Sequence, residues 1–448
     1  MYTVKKILSN IKDFDGKEVK VLGWTSSLRG NKKIKFLELN DGSTVYNLQV
    51  VLKSESVDLE VVDKTRDGAA ISIVGIIKHT PNSKQIAELQ AIEFKLLKNT
   101  DEDFPIQKKE ISMEVLREIP HLRHRTKLIK SVMLIRSTLA LEIHNFFSKH
   151  NFLYVSSPII TSNDGEGAGE TFIVDSESVK DFFGKKATLG VTGQLHAEAY
   201  AIGFNKVYTF GPTFRAENSH TKKHAAEFWM VEPEVAFYEL KDIIKLADHM
   251  LKTVIKKTLE VNKLEFDFLE ESIDSKLREK LSNFVNKKIS IIDYKDAIEE
   301  LKKVKTDFEE QNIHFGLDLA TEHEKYLAEK LFQGPVAVIN YPKEFKAFYM
   351  HQNDDGKTVS AFDLLVPGIG ELIGGSQREV RHEKLLSRIK ELSISEEELK
   401  WYLDLRRFGD AGSSGFGLGF ERLVMYVTGI DNIRDAIPFP RTPNNLKM

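Results

Sequence analysis

The sequence predicts an α+β protein in two parts, a small N-terminal β domain and a larger domain in which helices flank an antiparallel sheet. Two observations support this prediction. Short alternating runs separated by turn residues fill the first 100 positions, whereas long stretches with helical apolar spacing follow later. The later helices and strands do not alternate regularly, which argues against a parallel βαβ sheet.

The composition indicates a soluble, cytoplasmic protein. Apolar residues make up 41% of the chain and charged residues 29%, which is typical of globular proteins. No apolar run approaches the ~20 residues that a membrane helix needs, and the first residues lack the apolar core of a signal peptide. The absence of cysteine excludes disulfides and thiolate metal sites and agrees with a reducing compartment.

Residues 1–100 predict a closed five-stranded barrel of the OB type. Apolar and polar residues alternate at positions 19–24 and 34–39, and positions 48–52 and 71–77 are apolar, β-branched runs. Asn40-Asp41-Gly42 is typical of a turn. This domain carries 16 Lys and Arg against 12 Asp and Glu, although the whole chain has a net charge of −3. We therefore expect nucleic acid to bind at this end of the chain.

An acidic stretch with a proline at residues 100–105 predicts a linker, taken as 101–125, before a larger domain over 126–448. Residues 265–330 are rich in Lys and Glu and predict a helical insertion with a solvated outer face. A capping box at Ser395–Glu398 predicts a helix that runs through Arg407. Other segments with a clear apolar pattern predict helices at 128–147 and 240–259 and strands at 207–214 and 228–237.

A first chemical cluster spans residues 210–229. A predicted strand ends in Arg215, a polar basic loop follows, and the next strand begins with Phe228. Arginine offers a planar fork for phosphate or carboxylate, and an aromatic ring can lie under a purine. Taken alone, a surface hairpin with ordinary charges explains these residues equally well.

Two glycine-rich clusters follow. The run at 415–422 enters an apolar helix, but no βαβ unit surrounds it, so a dinucleotide fold is a poor interpretation and a glycine-packed turn a better one. In the run at 367–378, Glu371 and Arg378 are an odd number of residues apart. A regular strand places them on opposite faces, and we expect a bulge at Gly374-Gly375 to bring both into one pocket.

Together the clusters resemble a known family far more specifically. Residues 207–235 resemble motif 2 of the class II aminoacyl-tRNA synthetases in its asparaginyl form, and residues 415–423 resemble motif 3. The helix and strand before Pro158 resemble motif 1. The resemblance extends from the barrel to the last residues. It implies an enzyme that activates L-asparagine with ATP, transfers it from asparaginyl-adenylate to the 3′ end of tRNA(Asn), and forms a homodimer through motif 1.

The resemblance also implies how ATP is held. Arg215 bridges the α-phosphate and the substrate carboxylate, and Glu371 holds Mg²⁺. Phe228 lies under adenine with Arg422 on the other face of the ring. The catalytic residues are Arg215, Glu371 and Arg422, and the whole implied ATP site is Arg215, Glu217, Lys223, His224, Phe228, Glu371, Gly419 and Arg422.

Side-chain selection follows from a comparison with aspartyl relatives, which carry a lysine where this chain has Ala197. Without that lysine, Glu232 is expected to accept a hydrogen bond from the asparagine amide and to repel a carboxylate, while Arg378 donates to the amide oxygen. The implied amino-acid site is Glu170, Gln194, Arg215, Glu232 and Arg378. Glu198 is a further candidate, but a buried structural carboxylate explains it equally well.

In the barrel, the resemblance implies that Arg29, Phe36 and Gln49 contact the anticodon, although Phe36 taken alone is better explained by core packing. Two departures from the family stand out. Ser413, within Ala411–Ser414, replaces a histidine near the amino-acid site. Gly374 replaces a serine that aspartyl relatives place near the metal, so that Glu371 is expected to hold Mg²⁺ with more water.

Three alternative functions remain open. A relaxed aspartyl/asparaginyl-tRNA synthetase shares the same fold, but the missing lysine argues against it. An asparagine synthetase built on the same catalytic domain needs no anticodon reader, so the intact barrel argues against that. A catalytically inactive RNA-binding protein is disfavoured by the retained Arg215, Glu371 and Arg422.

Overall fold

The computed structural model describes residues 1–82, 85–106, 111–162, 165, 170–174, 182–304 and 308–448. The chain divides into two compact units. One consists of Met1–Ile135 and Asn262–Ser275, the other of Arg136–Val261 and Lys276–Met448. Of the glycine-rich loop expected beside the amino-acid site, residues 166–169 lie outside the described residues.

The first unit contains the closed five-stranded barrel that the sequence predicted. Neighbouring strands are antiparallel except for one parallel pair, β3 with β5. Alternate residues such as Val21, Leu37 and Val50 are fully buried and form the barrel core. The strands, in the closed order β1-β2-β3-β5-β4, are β1 (Glu18–Gly30), β2 (Ile34–Asn40), β3 (Leu48–Lys53), β4 (Ala70–His79) and β5 (Ala87–Lys98).

The second unit is built on an eight-stranded sheet in the order β12-β13-β14-β15-β16-β11-β10-β6. The six central strands are antiparallel, as predicted, whereas β6 and β12 pair in parallel at the two edges. The strands are β6 (Leu153–Tyr154), β10 (Lys206–Phe214), β11 (Glu227–Ala236), β12 (Ser290–Asp293), β13 (Val336–Pro342), β14 (Thr358–Val366), β15 (Gly370–Gln377) and β16 (Ser413–Gly419). A small sheet has the order β7-β9-β8, from β7 (Ile160–Thr161), β8 (Ile173–Val174) and β9 (Ala187–Leu189).

Helices cover this sheet. Helix α8 (Leu240–Val261) buries a stripe that includes Ile243, Ala247 and Val254, and it packs on β14, β15 and β16. Among the described residues, no helix combines the length and the apolar character needed to cross a bilayer. The other helices are α1 (Val4–Ser9), α2 (Ile11–Phe14), α3 (Leu59–Asp63), α4 (Met113–Glu118), α5 (Pro120–Arg123), α6 (Lys127–Lys149), α7 (Gln194–Phe204), α9 (Lys263–Ser272), α10 (Leu277–Asn286), α11 (Tyr294–Lys302), α12 (Thr321–Lys325), α13 (His382–Glu391), α14 (Lys400–Arg407), α15 (Phe420–Thr428) and α16 (Ile433–Ala436), with a π-helix at Tyr326–Leu331 and a 3₁₀ turn at Lys343–Phe345.

The predicted helical insertion is present, with one addition: within the Lys- and Glu-rich segment, Ser290–Asp293 joins the sheet as an edge strand. Two local predictions were wrong. The capping box at Ser395 forms only a turn, with Glu398 N donating to Ser395 Oγ at 3.4 Å, and the helix begins at Lys400. The bulge in β15 lies at Leu372, where the register with β14 shifts, and not at Gly374-Gly375.

Close packing between strands explains why position 375 is occupied by glycine. Gly375 lies in β15 between Phe362 of β14 and Phe416 of β16. A Cβ atom there would lie 2.4 Å from Phe362 Cε1 and 2.7 Å from the backbone oxygen of Gly415. Real Cβ contacts are not that short, so any side chain forces the strands apart.

We predict that Gly375→Ala lowers the free energy of unfolding by about 1–3 kcal/mol, because the added methyl group overpacks a filled core. Denaturant unfolding followed by circular dichroism measures the change. Gly211→Ala in β10 of the same sheet is the control, since a Cβ at Gly211 meets no atom within 4 Å. Equal stability of the two variants would contradict the packing that we describe around Gly375.

Candidate functional site

A cavity of about 150 Å³ opens on one face of the eight-stranded sheet. It lies where the loop between β10 and β11, the start of β15 and the start of α15 meet. Residues that the sequence analysis did not select, among them Met230 and Gly417, complete its walls. All eight residues of the predicted ATP site line it: Arg215, Glu217, Lys223, His224, Phe228, Glu371, Gly419 and Arg422.

Strand register brings these residues together. Gly419 of β16 pairs with Met230 of β11, so alternate residues of β11 on the same face, Phe228 included, border the cavity. In β15 the bulge at Leu372 shifts the alternation by one residue. Glu371 and Arg378 therefore lie on the same face, as the sequence analysis required, although the bulge is two residues earlier than predicted.

Glu371 and Arg422 form the ion pair at the centre of the cavity. Arg422 Nη1 donates to Glu371 Oε2 at 3.3 Å, and both side chains are about one-third exposed, at 31% and 38%. Burial acts to raise the pKa of Glu371, but the positive charges of Arg422 and Lys346 outweigh it and lower that pKa. The carboxylate is thus held ionised at a position open to the cavity.

The loop side of the cavity is cationic and aromatic. The guanidinium carbon of Arg215 lies 5.4 Å from the centroid of the Phe228 ring. Burial, followed by the positive charges of Lys325 and Arg422, lowers the pKa of Lys223. Burial and then Arg422 likewise lower the pKa of His224. Concentrated positive charge next to a flat apolar ring suits a nucleotide, whose phosphates are anionic and whose base is planar.

Asp363 is a carboxylate of this site that the sequence analysis missed. A Cβ on Gly374 would lie 3.0 Å from Glu371 Oε1 and 3.5 Å from Asp363 Oδ1, so both carboxylates border the same glycine. Lys346 Nζ donates to Asp363 at 2.7 Å. Two carboxylates on either side of Gly374, one of them lining the cavity, provide oxygen donors of the kind that Mg²⁺ uses with a nucleotide. Asp363 lies within an apolar strand, where no motif identifies it.

Glu232 lies further along the same face of β11 and accepts three hydrogen bonds. Its carboxylate accepts hydrogen bonds from Gly193 N at 2.9 Å, from Thr209 Oγ1 at 3.0 Å and from Thr192 Oγ1. Gly193 is the N-cap of α7, so the carboxylate lies at the positive end of that helix. Because a carboxylate has about four acceptor positions, one remains for a ligand.

Arg378 is held by a partner that the sequence analysis did not single out. Its Nη2 and Nε donate to the two carboxylate oxygens of Glu234, the second at 3.2 Å, and its Nη1 donates to Ser376 Oγ at 2.7 Å. The guanidinium carbon also lies 5.2 Å from the centroid of Tyr349. Arg378 is 2% exposed and Glu234 is fully buried, so this bidentate pair is desolvated.

The contacts of Glu198 support its interpretation as a structural carboxylate. Glu198 accepts hydrogen bonds from Gln194 Nε2 at 2.9 Å, Tyr402 Oη at 2.6 Å and Arg406 Nη2 at 2.9 Å. It is 2% exposed. Glu198 therefore holds Gln194 directly and is itself held by Tyr402 and Arg406 of α14. Glu170, the last predicted residue of this group, is exposed, and its carbonyl accepts from Ala216 N next to Arg215.

The barrel presents its three predicted residues on one outer face. Arg29 of β1 pairs with Phe36 of β2, and Arg29 Nη2 lies 3.5 Å from Gln49 Oε1. Leu37, the next residue along β2, points into the core and is fully buried, whereas Phe36 is half-buried and is not part of the core cluster. Core packing therefore does not account for Phe36.

Comparisons with family models agree with both units. A model described as tRNA synthetases class II (D, K and N) matches residues 112–443, and a model described as OB-fold nucleic acid binding domain matches residues 19–97. Among curated proteins, the asparagine–tRNA ligase of Mycoplasma mobile is 65% identical over 448 residues, covering all of both chains. That of Mycoplasmopsis pulmonis is 62% identical, covering 99% of each.

Solved structures are similar over the same length. Asparaginyl-tRNA synthetase from Pyrococcus horikoshii, complexed with asparaginyl-adenylate, has a TM-score of 0.87 and 34% identity and matches 97% of each chain. The enzyme from Entamoeba histolytica in complex with asparaginyl-adenylate has a TM-score of 0.83 and 25% identity over 97% of each chain. These relatives resemble this chain in both of its units.

We predict that Arg378→Ala lowers the free energy of unfolding by about 3–5 kcal/mol, because it leaves the buried charge of Glu234 without a partner. Chemical denaturation at neutral pH measures this loss. The control is Arg407→Ala in α14, where the side chain is 58% exposed and pairs with Asp404 three residues away. An exposed pair of this kind contributes less than about 1 kcal/mol. Similar losses in the two variants would mean that the Arg378–Glu234 pair contributes little.

Proposed function

The chain belongs to the asparagine–tRNA ligases, among the class II tRNA synthetases, and we propose how its residues divide the work of that reaction. The enzyme activates L-asparagine with ATP and joins the product to tRNA(Asn). One observation carries the assignment of residues. The cation-lined cavity at Phe228 and the buried Glu232–Arg378 region share one face of the sheet, and Met230 and Glu232 are about 7 Å apart along β11.

ATP occupies the cavity in this proposal. Adenine lies on Phe228 and faces Arg422, while Glu217 contacts the base end and Lys223 and His224 reach the outer phosphates. Arg215 holds the α-phosphate and the asparagine carboxylate together, so that a carboxylate oxygen can attack phosphorus as pyrophosphate departs. This step needs orientation and charge stabilisation and no protein nucleophile, which agrees with a site built of fixed cations.

Glu371 and Asp363 are the residues that would hold Mg²⁺. When bound there, the ion neutralises phosphate charge and stabilises the leaving pyrophosphate. The support is the pair of carboxylates around Gly374, together with the lowered pKa that keeps Glu371 ionised. Since Gly374 has no hydroxyl to offer, these two carboxylates would hold Mg²⁺ together with water and the phosphates.

Asparagine is selected by a donor and an acceptor. Arg378, oriented by Glu234, donates to the amide oxygen, and the free acceptor position of Glu232 takes an amide hydrogen. Gln194, anchored by Glu198, and Glu170 hold the α-amino group. Aspartate offers no donor to Glu232 and brings a second negative charge, so the pocket rejects it.

We predict that asparagine supports ATP–pyrophosphate exchange at least about 100-fold better than aspartate, since a mismatched polar pocket leaves buried groups unpaired. The ratio of kcat/KM for the two amino acids measures the selection. Comparable exchange with aspartate would instead identify a relaxed aspartyl/asparaginyl enzyme.

A substitution at Glu232 tests whether this residue determines the preference for asparagine over aspartate. Glu232→Gln removes the charge, and glutamine still bonds to Gly193 N and to the threonine hydroxyls, which can act as donors or acceptors. The asparagine-to-aspartate ratio should narrow by about tenfold or more, because like-charge repulsion is lost. Glu227→Gln is the control on the opposite face of β11 and should leave the ratio unchanged. If both amino acids lose activity in parallel in Glu232→Gln, the residue only supports the helix N-terminus.

The barrel is proposed to bind the anticodon through Phe36, Gln49 and Arg29. Its support is their common outer face, where the Phe36 ring and the Arg29 guanidinium lie next to Gln49, whose amide is oriented by a hydrogen bond from its Nε2 to Glu88 Oε1 at 2.8 Å. We predict that Phe36→Ala weakens tRNA(Asn) binding by about 1–3 kcal/mol and leaves asparagine-dependent exchange intact. Filter binding and exchange assays measure the two effects.

Phe94→Ala is the matched control for Phe36, because Phe94 is in the same barrel but packs against its core. It should lower stability more than Phe36→Ala and affect tRNA affinity less. Unchanged tRNA affinity in a folded Phe36→Ala variant would remove this residue from the anticodon site.

A homodimer in the cytoplasm completes the proposal. Helix α6 and strand β6, which resemble motif 1, expose large apolar side chains: Leu141 at 59%, Leu153 at 41% and Tyr154 at 47%. Exposed apolar surface of this kind is typical of a subunit interface. The absence of cysteine agrees with a reducing compartment.

A further inference from the structure

The turn between β14 and β15 is held from outside by two carboxylates. Gly368 N donates to Glu329 Oε1 at 2.8 Å, and Glu371 N donates to Glu324 Oε2 at 3.1 Å. The turn needs glycine at two positions, because Gly368 and Gly370 have φ angles of +86° and +87°. Glu371 thus receives its backbone position from a side chain outside its own strand.

Both carboxylates come from one irregular helix. Helix α12 continues into the π-helix Tyr326–Leu331, where Phe332 N donates to Leu327 O, an i→i+5 bond, at 2.9 Å. In an α-helix, residues five apart such as Glu324 and Glu329 point about 140° away from each other. A π-helical turn, with its i→i+5 hydrogen bond, places residues five apart on nearly the same side of the helix. Both side chains can therefore reach the loop between β14 and β15.

The contact between helix and turn is tight. A Cβ on Gly370 would lie 2.5 Å from Glu324 Oε2 and 3.4 Å from Glu324 Cβ, so the backbone rests directly on this side chain. The same turn also accepts a hydrogen bond at the Ile369 carbonyl from Lys223 Nζ. The turn is therefore a junction between the inserted helix, the phosphate-binding loop and the strand that carries Glu371.

These two glutamates differ from others in the Lys- and Glu-rich segment. Glu299 and Glu300 each pair with a lysine three residues later, Lys302 and Lys303, on a solvated helix surface. Such pairs contribute little and have no effect beyond their own helix. Glu324 and Glu329 instead accept hydrogen bonds from backbone N–H groups of a distant turn, and they therefore connect the helix to that turn.

We propose that Glu324 and Glu329 are positioning residues that orient Glu371 for the metal-bound nucleotide, so that the inserted segment supports the catalytic centre. The proposal rests on the proposed role of Glu371 in holding Mg²⁺. Fixing the backbone N–H of Glu371 immediately before the bulge at Leu372 fixes the direction in which its carboxylate leaves the strand. Residues that orient a metal ligand in this way commonly change metal affinity when they are removed.

The test is calorimetric binding of ATP to the full-length protein, without asparagine, in the presence of Mg²⁺ and separately in EDTA. The wild type should bind ATP more tightly with Mg²⁺. Glu324→Ala should reduce this Mg²⁺-dependent gain about tenfold or more, and its affinity in EDTA should stay near the wild-type value. Glu329→Ala, at an exposed side chain that does not endanger folding, should act in the same direction but less strongly.

Two further variants separate positioning from other effects. Glu324→Gln keeps an oxygen that accepts from Glu371 N and should restore most of the Mg²⁺-dependent gain. Glu322→Ala in the same helix removes a carboxylate that accepts from Glu309 N and Glu310 N, and it should change neither affinity.

Each possible result has a defined meaning. Loss of the gain in Glu324→Ala and Glu329→Ala, with rescue in Glu324→Gln, supports the proposal. The proposal is overturned if Glu324→Gln loses as much as Glu324→Ala, if affinity falls equally in EDTA, or if both alanine variants retain the full gain. A wild type whose ATP affinity does not respond to Mg²⁺ would instead refute the metal role of Glu371 itself.

Discussion

The site depends on side chains that pack directly against the backbone of glycine residues in the sheet. Added Cβ atoms would lie 2.0 Å from Glu234 Oε1 at Gly415, 2.7 Å from Met230 Cε at Gly417 and 3.0 Å from Glu371 Oε1 at Gly374. Each glycine therefore leaves room for a side chain of a neighbouring strand or of its own strand to rest on the sheet. The bidentate pair of Glu234 with Arg378 and the floor of the cavity both follow from this packing, since any larger residue would lift these groups off the sheet.

Charge is divided along this face in a way that suits the two substrates. At one end Arg215, Lys223 and Arg422 surround a cavity beside a flat aromatic ring, which suits a triphosphate and a base. Past Met230, the carboxylates of Glu198, Glu232 and Glu234 converge, and the guanidinium of Arg378 pairs with Glu234 and lies 3.7 Å from Glu198. An excess of carboxylates favours an ammonium group and disfavours a second acid. The distribution of charge alone therefore favours the nucleotide at one end of this face and the amino acid at the other.

Local patterns predicted much of this structure, and long-range packing decided the rest. Strict alternation predicted the barrel, and Leu37 and Phe36 show why, since neighbouring residues of a strand face opposite sides. The bulge in β15 was predicted from parity, but its place at Leu372 depends on the pairing with β14 and on the carboxylate beneath the turn. Ser290–Asp293 becomes a strand only because β13 offers it an edge. Asp363 and Glu324 carry no motif, so only the fold identifies them.

The resemblance implies a lysine in aspartyl relatives where this chain has Ala197, and that difference has a physical counterpart elsewhere in the pocket. Ala197 is fully buried, and a carboxylate at Glu232 without a cation would be costly there. The structure stabilises Glu232 with dipoles instead: the N-terminus of α7 at Gly193 and the hydroxyls of Thr192 and Thr209. Dipoles satisfy hydrogen bonds but do not cancel charge. In the proposed site, the carboxylate of Glu232 therefore has no lysine to neutralise it, and the proposal has it favour an uncharged side chain with an amide hydrogen over an acid.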